Sequence, residues 1–211
     1  MTPKERMQKT IQILKKEHKN LKPALNYSNV WELLVSVILS AQCTDVRVNI
    51  VTKDLFKKYK TIKDYANADI KELQQDVRST GFYRNKAKNI KATAQIVLKE
   101  FNGNVPDTME ELLTLKGVAR KTANIVLGNW FEKNIGIAVD THVMRLSQRL
   151  GFSMQKDPKK IEQDLMLLVP QKDWTNITHL LIFHGRKTCI ARKPKCMECS
   201  LNKICPSAFK V

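Results

Sequence analysis

The sequence lacks any long apolar stretch. Its longest apolar run, Leu33–Ala41, is less than half the roughly 20 residues that a membrane-spanning helix needs. The first residues of the chain alternate charged with apolar side chains, so they do not resemble a secretory signal peptide either. We therefore expect a soluble intracellular protein that is located in the cytoplasm.

Acidic residues are also scarce. The chain of 211 residues has 20 Asp and Glu against 37 Lys and Arg, which gives a formal charge of +17. The basic excess is spread along the whole chain instead of being confined to one tail. Such a balance favours a polyanionic partner such as nucleic acid, although net charge indicates neither a fold nor a reaction.

Alternating strand patterns, internal repeats and low-complexity linkers are absent too, and helical periodicity dominates. We expect an all-α protein, long enough for one large domain or two small ones. The segment 29–42 is apolar on nearly all sides, as in a helix at the middle of a bundle. Asp107, with Glu110 three residues later, is a candidate helix cap. Helices are predicted over 5–18, 29–42, 45–59, 69–79, 84–101, 107–115, 119–131, 141–150, 158–168 and 173–184.

The stretch Gly117–Asn124 reads as a tight glycine turn, preceded by one helix, that runs directly into a second helix. The backbone N–H groups of such a turn and of the helix start can hold a DNA phosphate, although a glycine between helices is often just a turn. Lys121 lies nearly opposite the apolar face, and the ordinary interpretation is a solvated charge. The positive end of the helix dipole, however, favours the neutral amine that a nucleophile needs. That apolar face is predicted from helical spacing to comprise Ala119, Ala123, Val126, Leu127 and Trp130.

Asp140 follows an apolar run and precedes a helix whose inner face carries Val143, Leu146 and Leu150. An aspartate in this position is a good N-cap, worth about 1 kcal/mol, and needs no other role. A capping carboxylate can also point into a cleft, where it would stabilise a developing sugar oxocarbenium and assist deprotonation. Both interpretations stay open from the sequence.

Four of the five cysteines lie close together, at Cys189, Cys196, Cys199 and Cys205. In a reducing compartment such a group more often binds metal than forms disulfides. Zinc modules usually pair two short C-x2-C knuckles, whereas this C-x6-C-x2-C-x5-C segment has one short pair between wider gaps. The spacing therefore favours an iron–sulfur cluster over zinc, and its loop places Arg192, Lys193 and Lys195 on a basic prong suited to phosphates. The fifth, Cys43, is expected to be a small buried apolar residue.

Taken in order, the turn that leads to Lys121, the segment 139–143 and the cysteine tail resemble the endonuclease III family of helix-hairpin-helix DNA glycosylases. The resemblance covers the chain from Asn26 to Cys205. It implies a six-helix domain of residues 23–135 and a four-helix iron–sulfur domain formed by both chain ends, 1–22 and 136–211. It also implies DNA bound in a cleft between the two domains, and a monomeric enzyme associated with the nucleoid.

The resemblance also implies a role for individual residues. Lys121 matches the lysine that attacks C1′ of the damaged nucleotide and forms a Schiff base, and Asp140 matches the assisting aspartate. The four clustered cysteines match the ligands of a 4Fe-4S cluster. Gln42 matches the residue that fills the gap left by the flipped nucleotide, and Phe82 lies in the segment that wedges into the base stack. The remaining matches are Asp45 near the lesion pocket, His142 in the pocket, and Gly117 with Ala119 on a phosphate.

Three positions depart from the family pattern. Close relatives have Pro and Gly where this chain has Lys116 and Ala119, and Ala119 suits the turn only with ordinary helical or extended dihedrals. Phe82 replaces the common leucine, so we expect it to stack on bases more broadly and to alter the preference for the opposite base.

Three functions are therefore compared. The first is a bifunctional glycosylase and AP lyase acting on oxidised pyrimidines in duplex DNA, and Lys121 is its decisive support. The second is an adenine-mismatch glycosylase, which lacks that lysine, carries a glutamate in the helix corresponding to 35–41 and has a further C-terminal domain. This chain ends six residues after Cys205, which argues against it. The third is a non-catalytic iron–sulfur protein that binds or senses damaged DNA.

Overall fold

The computed structural model describes residues 1–18 and 24–211, and within them all regular secondary structure is helical. This confirms the predicted all-α class. No described helix is long and apolar enough to cross a membrane. Short 3-10 turns occupy Arg78–Thr80, Gln171–Asp173 and Cys196–Glu198. The α-helices are α1 Pro3–Glu17, α2 Val30–Ser40, α3 Asp45–Lys58, α4 Ile62–Asn67, α5 Ile70–Asp76, α6 Tyr83–Glu100, α7 Met109–Leu112, α8 Arg120–Asn129, α9 Thr141–Arg149, α10 Pro158–Leu168 and α11 Trp174–Lys187.

The chain divides into two compact units. Pro23–Glu132 form one, called here the hairpin unit, and Met1–Lys22 with Lys133–Val211 form the other, called the thiol unit. The predicted division after residue 22 lies outside the described residues. Each unit has an apolar core of its own.

The core of the hairpin unit is built around α2, which packs against α3, α6 and α8. Asn29 begins α2 by accepting a hydrogen bond from the Glu32 backbone N–H at 2.9 Å. Eight of the eleven residues of α2 are buried, as predicted for a helix at the middle of a bundle. Tyr65 of α4 is fully buried and lies edge-on to Trp31, with 5.4 Å between ring centroids.

Four details of the hairpin unit differ from the predictions. Helix α4 was missed, because six residues are too few for a periodic pattern, and a capping box between Thr61 and Asp64 fixes it instead. The cap of α7 is Thr108 and not Asp107, since the Thr108 hydroxyl accepts the Glu111 N–H at 3.3 Å. The inner face of α8 lacks both predicted ends: Ala119 is exposed in the extended residue before the helix, and Trp130 is exposed where the helix ends. Cys43 is only half-buried, because it lies in the turn after α2.

The core of the thiol unit joins α1, α9, α10 and α11. The predicted inner faces are confirmed: Met7, Ile11 and Leu14 of α1 are buried, as are Val143, Leu146 and Leu150. Gly185 of α11 lets α9 approach closely, because a Cβ there would lie 3.1 Å from the Arg145 guanidinium. Beyond α11 the apolar packing is thin, and Leu201 is the one buried residue between Cys189 and Val211.

Candidate nucleic-acid interface and metal centre

The turn before α8 is built for glycine. Gly117 has φ +77°, and a Cβ at this position would meet the Asn89 side-chain nitrogen at 2.8 Å. The hydroxyl of Thr93 donates to the carbonyl of Lys116 at 2.8 Å, which attaches the turn to α6. Val118 is buried on the other side of the glycine. The turn is therefore fixed from both sides although it lacks a proline.

Ala119 has φ −100° and ψ 169°, an extended conformation that any residue adopts. An alanine can therefore replace a glycine here, because its dihedrals are the extended ones that alanine tolerates. An alanine side chain carries no oxygen with which to cap α8, so the side chain of the preceding residue takes up none of the first backbone N–H groups of this helix. The positive end of the helix dipole adds to their attraction for an anion.

Lys121 is the second residue of α8, and its side chain is exposed. Ala123, Val126 and Leu127 are buried in the core behind it, so the helix is held from the opposite side. Ile125, one turn further on, is half-buried against the same core. An exposed amine at the positive end of a well-anchored helix is suited to attack on carbon.

Two other predicted contact residues of the hairpin unit share an uncommon backbone conformation. Gln42 has φ +52° and Phe82 has φ +47°, in the left-handed region that non-glycine residues seldom occupy. Both are exposed, and the Phe82 side chain retains 64% of its accessible surface. Residues with such dihedrals cluster at functional sites. The conformation is unfavourable in free energy, so it persists only where the surrounding structure holds it in place. Asp45, half-buried, is the first residue of α3 after the Thr44 cap.

Asp140 caps α9, which confirms the ordinary interpretation of this residue. Its Oδ1 accepts the backbone N–H groups of His142 and Val143, each at 2.8 Å. The half-buried carboxylate keeps a second oxygen that takes no part in these two bonds. The cap therefore does not exclude a chemical role for the same side chain.

His142 is the second residue of α9, two positions after the cap, and it is half-buried. Burial is the main cause that lowers the pKa of its imidazole, although the nearby Asp140 carboxylate opposes the shift. Its Nδ1 is 3.2 Å from a guanidinium nitrogen of Arg145. Because that guanidinium can only donate, Nδ1 is the acceptor in this contact.

Two arginines one turn apart attach α9 to the first cysteine. Arg145 donates to the carbonyl of Cys189 at 3.0 Å and to that of Gly185 at 2.8 Å. Arg149 donates to the carbonyls of Ile190 and Ala191 at 2.8 and 2.9 Å. Neither arginine was predicted from the sequence, since they lie 44 and 40 residues before Cys189.

All four predicted metal ligands line one small cavity. Burial raises the pKa of the Cys199 thiol to about 11 and also raises that of Cys205. A thiolate is therefore costly here without a cationic centre, which is what a metal or iron–sulfur cluster supplies. Polar groups already contact the sulfurs, since Arg149 donates to Cys189 Sγ at 3.3 Å and His184 Nε2 lies 3.4 Å from Cys199 Sγ. This set of four sulfurs with donors around them fits an iron–sulfur cluster.

A second set of possible ligand atoms lies beside the cavity. Glu17, His18 and His184 bring one such atom each within 4.8 Å of one another. The carboxylate of Glu17 already accepts the Ser200 hydroxyl at 2.6 Å, and His184 already contacts a cysteine sulfur. We therefore assign His184 to the surroundings of the four thiols.

The predicted basic prong is exposed. Arg192, Lys193 and Lys195 all lie between the first two cysteines of the cavity. Lys193 has φ +54°, and the Lys195 backbone N–H donates to the carbonyl of Thr188 at 3.0 Å. The prong is thus a short loop that the cysteines and α11 hold at its two ends.

The chain is similar to known DNA repair proteins over its whole length. A model of the HhH-GPD superfamily of base excision DNA repair proteins matches residues 35–171. A model of the iron-sulfur binding domain of endonuclease III matches residues 189–205. Endonuclease III of Synechocystis sp. (strain ATCC 27184 / PCC 6803 / Kazusa) is 52% identical over 97% of this chain and 94% of the relative.

Solved structures agree with these matches. A non-covalent complex of endonuclease III with DNA has a TM-score of 0.94 and 43% identity, covering 100% of this chain and 98% of that one. A trapped covalent intermediate of endonuclease III with DNA also has a TM-score of 0.94 and 43% identity, covering 100% and 99%.

Proposed function

This chain belongs to the endonuclease III family of base excision DNA repair proteins, and from that premise we propose that it removes oxidised pyrimidines from duplex DNA. It is a DNA glycosylase and AP lyase, and its cofactor is a 4Fe-4S cluster. The observation that carries the proposed chemistry is the exposed amine of Lys121, held at the start of α8 directly after the Gly117 turn. A related enzyme has been trapped in covalent linkage to DNA, as an amine nucleophile requires.

Lys121 acts as the nucleophile in this proposal. Its neutral amine attacks C1′ of the damaged nucleotide, the C1′–N bond breaks, and the base leaves with the bonding electron pair and is protonated. The nitrogen loses one proton, the C1′–O4′ bond breaks as the ring oxygen takes up a proton, and the nitrogen lone pair forms the C=N bond of a protonated Schiff base. Loss of a C2′ proton then expels the 3′ phosphate by β-elimination, so the strand is cleaved on the 3′ side.

Asp140 assists without leaving its capping position. Its carboxylate stabilises the positive charge that develops on the sugar as the base departs, and it accepts a proton from the attacking amine. Two backbone N–H groups already hold one oxygen at 2.8 Å, so the carboxylate needs little reorganisation during the reaction.

The remaining residues bind DNA, and their contacts offset the free energy of nucleotide extrusion, which is a few kcal/mol. Gln42 fills the gap in the duplex and Phe82 wedges into the stack, both from exposed turns. The backbone at Gly117 and Ala119 holds a phosphate. Asp45 and His142 lie near the lesion, and the prong of Arg192, Lys193 and Lys195 contacts phosphates.

Cys189, Cys196, Cys199 and Cys205 hold the cluster in this proposal. When bound, the cluster supplies a cationic centre that keeps the four half-buried thiolates together. The protein then uses the fixed loop to present the basic prong. Arg145 and Arg149 attach this loop to α9, because they donate hydrogen bonds to the carbonyls of residues 189–191.

Borohydride trapping tests the proposed nucleophile. Reduction of the Schiff base leaves a stable covalent complex with abasic DNA, so the intact protein should form this complex and Lys121→Ala should not. Lys116→Ala is the matched control, since it removes an exposed lysine from the same turn and should keep trapping. No complex with the intact, cluster-loaded protein would instead favour a non-catalytic DNA-binding protein.

Substrate and assembly need separate measurements. Excision assays over duplexes that carry different oxidised pyrimidines, with each base opposite, test the substrate class and the effect of Phe82. We further propose that the protein acts as a monomer on the nucleoid. A sedimentation mass of twice the 24.3 kDa chain would contradict the first point, and exclusion of the labelled protein from cellular DNA would contradict the second.

A further inference from the structure

A buried lysine lies close to both DNA-inserting turns, and the chemistry above does not use it. Lys86, in the first turn of α6, retains only 4% of its accessible surface. Burial lowers the pKa of its ammonium. Lysine is almost never this buried unless its charged end has partners, so the side chain needs a structural explanation.

Its partners are two backbone carbonyls that lie far apart in the sequence. Lys86 Nζ donates to the carbonyl of Leu39 at 2.8 Å and to that of Thr80 at 2.7 Å. Leu39 is in the last turn of α2, where carbonyls have no partner within the helix. Thr80 ends the 3-10 turn before Gly81. One ammonium therefore joins two separate chain segments.

Each segment ends in a residue with positive φ. Gln42 is three residues after Leu39, and Phe82 is two residues after Thr80. The backbone N–H of Lys86 itself donates to the carbonyl of Phe82 at 3.1 Å, so Phe82 is held a second time. Unfavourable dihedrals persist only where surrounding contacts fix them, and Lys86 contacts both segments that carry them.

We propose that Lys86 is a positioning residue that holds the Gln42 turn and the Phe82 turn at a fixed separation, so that both enter the duplex together. The inference rests on the proposed roles of these two residues in the DNA. Without the ammonium, each turn relaxes independently, and insertion of one side chain no longer places the other. The loss should fall on the step that opens the duplex and not on the reaction of Lys121.

Lys91 provides a matched control on the same helix. Its Nζ donates to the carbonyl of Ala68 at 2.6 Å, and it is half-buried. Lys91→Met therefore removes the same kind of bond from the same unit, but its carbonyl belongs to neither inserting turn. The loss of a bond from a lysine to a backbone carbonyl within the unit is therefore common to both variants.

The experiment compares Lys86→Met, Lys91→Met and the unaltered holoenzyme on two substrates. One is a duplex with an oxidised pyrimidine, which must be opened, and the other is a single strand with an abasic site, which has no stacked pair to open. Rates are expressed per borohydride-trappable molecule on the single strand, so unfolded protein does not count. A 2-aminopurine placed opposite the lesion reports unstacking directly.

Lys86→Met should lower the ratio of duplex to single-strand rates about tenfold or more and reduce the 2-aminopurine signal, because small displacements of inserting groups are costly. Lys91→Met should leave the ratio within about twofold of the unaltered enzyme. Equal ratios for the two variants would overturn the role of Lys86. Absence of trapping by the unaltered enzyme would instead overturn the proposed function.

Discussion

In the hairpin unit the functional residues lie at the ends of helices that pack on a continuous apolar core, whereas the thiol unit presents part of its site on a segment with little core. Gly117 precedes α8 and Lys121 lies in its first turn, and the inner residues of this helix are fully buried. Between Cys189 and Val211, Leu201 alone is buried, and arginine contacts and four thiols hold the rest. The first unit should thus keep its geometry without the cofactor, and the second should not.

Removal of a cluster ligand should have the largest effect on stability, and this effect should be confined to the thiol unit. Cys199→Ala should prevent cluster assembly and cost several kcal/mol of stability in the thiol unit, because metal-linked folding energy is lost there. Limited proteolysis should cut first between residues 189 and 211. Peptides of the hairpin unit should stay protected. Equal digestion of both units would contradict the expectation that only the thiol unit depends on the cofactor.

Gly117→Ala should be the most costly single change in the hairpin turn. The new Cβ combines a positive φ with contact at 2.8 Å to Asn89, so we expect a loss of about 2 to 4 kcal/mol in urea unfolding. Gly103→Ala is the control, because φ there is +78° but the nearest atom would be 3.7 Å away. A smaller loss at Gly117 than at Gly103 would mean that the turn is not fixed against α6.

Two substitutions at Asp140 should separate capping from chemistry. Asp140→Ala removes the acceptor of two N–H bonds and should cost about 1 kcal/mol of stability. Asp140→Asn keeps a good cap, so its stability should change by less than about 0.5 kcal/mol. Both should lower single-turnover excision by about 100-fold, since neither carries the charge. Full activity of the Asn variant would leave Asp140 with the capping role alone.

Lys193→Ala should have the smallest effect. The side chain is exposed on the prong, so its loss should weaken DNA binding similarly for all sequences and reduce the salt slope by about 1. Lys172→Ala removes an exposed lysine of the thiol unit outside the cysteine loop and serves as control. Equal slopes for the two variants would place Lys193 away from phosphate.

Local features of this protein could be predicted from the sequence, and long-range contacts could not. The Asp140 cap, the four-cysteine segment and the inner face of α9 each depend on residues that lie close together in the sequence. Lys86 is 47 positions from Leu39, and nothing in either segment indicates that an ammonium meets a carbonyl there. The same holds for Arg149, which is 41 positions from Ile190.

Backbone conformation is a second feature that could not be predicted from the sequence. Phe82 can be read from sequence as a core aromatic, but its positive φ and 64% exposure place it on the surface. Helix α4 has six residues, so capping and burial of Tyr65 determine it and no periodicity can. These features depend on the packing of the whole unit, which propensities of single residues do not contain.

The most direct measurement is to locate the covalent bond itself. The intact, cluster-loaded protein is incubated with abasic duplex DNA and borohydride, digested, and the DNA-linked peptide is identified by mass spectrometry. We expect the sugar remnant on the side chain of Lys121, which trypsin then fails to cleave after. A remnant on Lys116, on the N-terminal amine or spread over several lysines would contradict Lys121 as the nucleophile.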